Sequence, residues 1–107
     1  MHTSKVKVLR GPITFGGWKG QLSLDGDTMT VVGDEAGRSL VISLAEVKRA
    51  SYNSNNGMWA FRLRDGRRLW IQSAGGLLSA DRTAAGHETN RLITDRLAHH
   101  RVRVFGV

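Results

Sequence analysis

The sequence predicts a mainly β, α+β fold: about seven antiparallel strands, then one C-terminal amphipathic helix and a short extra C-terminal strand. Three observations carry this. Turn signals recur at short intervals, at Gly11-Pro12, Gly16-Gly17, Asp25-Gly26, Gly33 to Gly37, Asn56-Gly57, Asp65-Gly66 and Gly75-Gly76. Between them lie runs of about four to eight residues rich in Val, Ile, Thr, Leu and aromatics, the pattern of consecutive hairpins rather than of βαβ units. After Gly76 the apolar period changes from that of a strand to that of a helix.

Taken in order, strands are expected near Lys5–Phe15 (bent at Pro12, which cannot donate to a ladder), Gly20–Leu24, Thr28–Val32, Ser39–Leu44, Val47–Tyr52, Met58–Leu63 and Arg68–Ser73. Leu22 and Leu24 must share a face with Met29 and Val31. Facing residues therefore sum to an odd number, such as 24 with 29, and the loop holds two or four residues. A slip by one residue would expose half of these side chains. In the helix, Ala85, Thr89, Leu92, Ile93 and Leu97 form one stripe that should lie on the sheet. Glu88, Arg91 and Asp95 share another face, where Arg91 and Asp95 can pair weakly. Asp81 or Thr83 is the expected cap, and His99, His100 and Arg101 suit the negative end of the helix dipole. Arg101-Val102-Arg103-Val104-Phe105 then echoes Lys5-Val6-Lys7-Val8-Leu9. Either each segment protects a sheet edge with basic side chains, which is the preferred reading, or the two pair with each other or across a dimer.

The hairpin FRLRDGRRLW decides where charge goes. A two-residue Asp65-Gly66 turn would set Leu63 beside Arg68 and Leu69 beside Arg62, mixing charge into both faces. A three-residue loop, a type I turn closed by Gly66 in the left-handed region, pairs 63 with 67 and 61 with 69. Trp59, Phe61, Leu63, Leu69 and Ile71 then share the core face, while Arg62, Arg68 and Trp70 share the other. The second arrangement separates apolar from polar and is preferred. Trp70 among arginines has three readings: a ring covered by a neighbouring loop or strand with guanidinium groups stacked on it, a binding surface, or a homodimer contact. Arg64 belongs to the same candidate surface. Trp18 and Lys19, set among Gly16, Gly17 and Gly20, are a second candidate: an exposed loop tip, or a Trp folded down to plug an end of the sheet.

Length and composition describe one domain, residues 1–107, with one modest core: 107 residues, 40% apolar and 23% charged. No apolar run approaches the ~20 residues of a membrane span. MHTSKVKV has no apolar h-region, so a cytoplasmic location is expected. With no cysteine, there is no disulfide framework, thiolate zinc site or cysteine nucleophile. The net charge of +7 is the outlying number, with a pI near 11.1. It points to an anionic ligand, acidic partner or nucleic acid. Twelve of the sixteen basic residues are arginine, however, so composition of the genome and solubility explain it equally well.

Catalysis finds little support. His99 and His100 are adjacent and point apart on a helix, no histidine or carboxylate completes a metal site, and there is no Gly-x-Ser-x-Gly elbow. Gly16, Gly17 and Gly20 imitate a phosphate loop, but no GK[ST] follows. The expectation is a non-enzyme with no metal and no cofactor.

Two stretches, RSLVISLAEVKRASY (Arg38–Tyr52) and WAFRLRDGRRLWIQS (Trp59–Ser73), resemble small bacterial pleckstrin-homology-like (PH-like) domains. The opening GPITFGGWKGQLSLDGDTMTVV resembles an uncharacterised actinobacterial family of this type. The resemblance implies a bent sheet, or two near-orthogonal sheets, capped by the C-terminal helix. It also implies binding rather than catalysis, with protein partners or homo-oligomers. Phosphoinositide-binding members carry spaced basic residues across the first hairpin; here Gln21 and Ser23 follow Lys19, which argues against that headgroup. The strand Arg101–Phe105 is an addition to the simple pattern. Two function hypotheses result. The first is a binding or scaffolding module acting through Arg62, Arg68, Trp70 and Arg64, with Trp18 and Lys19 as the second surface. The alternative is nucleic-acid binding through Arg, Lys and Trp.

Overall fold

The computed structural model describes residues 2–11, 17–53, 57–73 and 84–106. Among the described residues eight strands, β1 (His2–Leu9), β2 (Trp18–Asp25), β3 (Thr28–Gly33), β4 (Ser39–Ser43), β5 (Val47–Asn53), β6 (Met58–Leu63), β7 (Arg68–Ser73) and β8 (Val104–Gly106), form one sheet. Their spatial order is β4-β3-β2-β1-β7-β6-β5-β8. The helix α1 (Ala84–His99) packs on the inner face of this bent sheet, burying Thr89, Ile93 and Leu97 as its stripe requires. Inward-pointing Val6, Val8, Leu22, Leu24, Met29, Val31, Ile42, Trp59, Phe61, Leu63 and Ile71 complete the core.

Register follows from the same alternation. Leu24 faces Met29 and Asp25 faces Thr28, so the β2–β3 loop holds two residues, with Gly26 at φ 58. In the β6–β7 hairpin Phe61 faces Leu69 and Arg62 faces Arg68, the three-residue-loop register. Gly66 takes φ 93, and Leu63 both donates its N–H to Arg67 O (2.8 Å) and accepts from Gly66 N (3.0 Å). Asp65 accepts from the Arg67 backbone and its Nε (3.0 and 2.7 Å), which holds its carboxyl below the usual range. This fixes which side chains leave the core.

Several expectations need correction. β4 stops at Ser43, and Leu44–Glu46 form a 3₁₀ turn, because Ser43 accepts a hydrogen bond from Ala45 N and caps it. β1 is not an edge: Val6 and Val8 are buried beneath neighbours on both sides, and the strand pairs with β2 and with β7. β8 does lie at an edge, in line with the preferred reading, and it pairs in parallel with β5 and not with β1. β1 starts earlier than expected, at His2, and ends at Leu9, with Arg10 and Gly11 bending out of it. The expected bend at Pro12, the segment to Phe15, most of the NSNNG loop, Gly75-Gly76 and the caps Asp81 and Thr83 lie outside the described residues.

The helix ends in a Schellman motif. Val102 N donates to Leu97 O (2.8 Å), Arg101 N to Ala98 O (2.9 Å), and buried Val102 closes over Leu97. The residue forced into the left-handed region is Arg101, at φ 63. An L side chain there costs about 1 kcal/mol. Arg101→Gly is therefore expected to raise stability by roughly 0.5–1 kcal/mol, read as an increase in the urea midpoint; an unchanged or lowered midpoint contradicts this.

A second tether joins the β2–β3 turn to the helix end. Arg96 Nε donates to Asp27 Oδ1 at 2.9 Å. His100 Nε2 stands 2.9 Å from the same oxygen, off the geometry of a good hydrogen bond. The His100 imidazole, with the Arg96 guanidinium behind it, holds the Asp27 carboxyl below its ordinary 3.8. The folded state thus binds this proton less tightly than the unfolded chain. The tether's contribution is whole above 3.8 and disappears as pH falls through the lower folded value. The gap in urea midpoint between wild type and Asp27→Asn should shrink as pH falls below 3.8, and a gap that persists undiminished in acid would refute the assignment.

Candidate functional site: an arginine row beside an aromatic groove

The outer face of the sheet, opposite α1, is organised in rows that cross the strands. Arg68 faces Arg62, which faces Arg49, so three arginines stand side by side on β7, β6 and β5. Two residues along each strand runs a second row: Leu9, Trp70, Ala60, Ser51 and Phe105, on β1, β7, β6, β5 and β8. Phe105 is 58% exposed, Trp70 is half-buried, and Leu9 is only 5% exposed beside it. Ala60 and Ser51 form a floor of small side chains between the indole and the phenyl ring. The result is an open groove of about 500 Å³ lined by Arg49, Arg62, Arg68, Trp70 and Phe105 over that floor.

The charges in this groove are one-sided. Like charges directly opposite in a sheet repel. Among the described residues the ion pairs are Arg67–Asp65, Arg91–Glu88, Arg91–Asp95, Arg96–Asp27 and His100–Asp27, none of which involves the row. Glu88 and Asp95 sit on the helix, on the other side of the sheet. The three guanidinium groups, planar forks suited to carboxylate or phosphate, are left to solvent or a ligand.

Of the residues singled out from sequence, Arg62, Arg68 and Trp70 are brought together. Arg64 is exposed at the turn, its N–H donating to Glu46 O (2.9 Å), and does not line the groove. Trp18 is not on a loop tip: it opens β2 opposite Val8, half-buried against the core, because Gly17 at φ 74 lets the chain turn inward there. A Cβ at Gly17 would meet Val8 O at 1.9 Å. Lys19 points outward into a different depression, of about 460 Å³, shared with Lys7, Arg38, Asp34 and Glu35. Acids accompany the cations in that second depression, unlike the arginine row.

Arg49 and Phe105 were missed. Arg49 stands two residues from buried Val47, so strict alternation would send it to the core face; the bulge between Val47 and Arg49 resets the parity and brings it opposite Arg62. Phe105 reaches the groove only through the parallel β5–β8 pairing, for which no local sequence signal exists.

No family model matches the chain, and no curated protein matches it. Solved structures do. Inner Membrane Complex sub-compartment protein 3 from Toxoplasma gondii aligns with TM-score 0.63 at 15% identity, over 92% of this chain and 77% of that one. The structure of the Spt16D–Pob3N heterodimer aligns with TM-score 0.64 at 6% identity, over 99% of this chain and 54% of that one, so the chain spans about half of the latter's length. At these identities the likeness concerns fold alone. Together with the bent sheet, the late helix packed inside it and the short final strand, it identifies the fold as PH-like.

Proposed function

We propose that this protein is a non-enzymatic binding or scaffolding module that takes an acidic protein partner on the outer face of its sheet. The observation that carries this is the Arg49–Arg62–Arg68 row, which makes no ion pair among the described residues and adjoins Trp70 and Phe105. Keeping three like charges abreast on a sheet opposes folding, so an anion docking there relieves repulsion as well as adding attraction. Trp and Arg are the commonest interface anchors. One structural neighbour was solved as a heterodimer, which supports a protein as the partner. Trp18, Lys19 and Arg64 lie outside the groove and serve at most as its periphery.

The test is a fluorescence-anisotropy titration of a labelled hexaglutamate peptide at low salt, against wild type and Arg62→Glu/Arg68→Glu. Saturable binding by wild type that the double variant loses is expected. Equal binding to both, or none to either, would refute the site. Among the described residues no helix is long and apolar enough to cross a membrane.

A further inference from the structure

We propose that the groove reads an extended acidic segment of its partner in which an aromatic or large apolar side chain stands two residues from a carboxylate. This rests on the groove being the binding site, as above, and specifies what the partner must present. The arginine row and the Trp70–Phe105 row are separated by one i to i+2 step on each of β5, β6 and β7. That step is about 6.6–6.8 Å, and an extended peptide projects same-side side chains at that same interval. A helical partner would need residues three or four apart instead.

The floor and walls specify the second side chain. Trp70 and Phe105 stand three strand spacings apart, roughly 14 Å between backbones, with only Ala60 and Ser51 between them. A segment laid along β6 drops an apolar side chain onto Ala60 and Ser51, flanked by the two rings. Its carboxylate, one step along, meets Arg62 with Arg49 and Arg68 on either side. A long polyanion fits less well. The arginine row spans about 10 Å, and past the aromatic row come neutral Gln72 and Met58 before Lys7, in place of a continuous cationic track.

The experiment is selection of a displayed library of random short peptides on wild type and on Arg62→Glu/Arg68→Glu. Peptides enriched on wild type alone should carry Asp or Glu two positions from Trp, Phe, Tyr or Leu. Shifting either residue by one position should weaken binding about tenfold in anisotropy titrations. Enriched acidic peptides that tolerate any spacing, or lack the apolar residue, overturn this inference while leaving the groove an acidic-ligand site. Identical enrichment on both proteins overturns the inference and the site together. An oligonucleotide that binds wild type more tightly than the best peptide, and loses binding in the variant, replaces the inference with nucleic-acid recognition.

Discussion

Trp59→Ala lowers the free energy of unfolding by about 3–5 kcal/mol, a large part of the 5–15 kcal/mol typical of a domain this size. The indole is 3% exposed and is the hub of an aromatic cluster. It stacks on Phe61 with ring centroids 5.5 Å apart and meets Tyr52 at 4.9 Å, tilted by 45°. Its Nε1–H donates to Asn90 Oδ1 (2.9 Å), and Asn90 Nδ2 donates to the Tyr52 hydroxyl (2.9 Å), so one residue couples β5, β6 and α1. Trp59→Phe keeps most of the buried area and gives up the hydrogen bond, so its cost should be nearer 1–2 kcal/mol. Urea unfolding of the two variants checks this. Equal losses would mean that the hydrogen-bonded bridge to the helix, rather than ring volume, dominates.

Arg62→Glu/Arg68→Glu weakens binding of an acidic peptide by about 3 kcal/mol, on the order of 100-fold. Each reversal replaces a charge-assisted contact with repulsion. Stability should move the other way. The glutamate at 62 then faces Arg49 as an opposite-charge neighbour, worth roughly 0.2–1 kcal/mol, while the glutamates at 62 and 68 keep the like-charge pairing that Arg62 and Arg68 had. Affinity falling while the urea midpoint holds or rises separates a binding role from a structural one. Loss of both together would point to a fold that needs these arginines, contrary to their exposure.

Much of this architecture was legible in the sequence, for reasons that can be named. The β6–β7 register follows from apolar parity alone: only the three-residue loop puts Phe61, Leu63, Leu69 and Ile71 on one side, and that same choice sends Arg62, Arg68 and Trp70 to the other. The helix stripe through Thr89, Ile93 and Leu97 is equally local. The Arg91 pairs with Glu88 and Asp95 also follow from helical spacing. What could not be read is non-local. The basic-valine pattern of β1 recurs at Arg101–Val104, yet β1 is a central strand while Arg101–Arg103 end the helix and only Val104–Gly106 form the edge strand β8, because position in a sheet depends on partners elsewhere in the chain. Arg49 and Phe105 were hidden by a bulge and by a parallel pairing. Trp18 had two readings from sequence, a loop tip or a ring folded down on the sheet; the half-buried ring opposite Val8 agrees with the second, and Gly17 serves the close approach to Val8.

Amide chemical-shift mapping during a hexaglutamate titration tests the acidic-groove account most directly. The expected result is saturable shifts clustered at residues 49–51, 60–62, 68–70 and 105 that fade as salt is added. Shifts confined to the Lys7–Lys19–Arg38 depression, or no shifts at low salt, would contradict it.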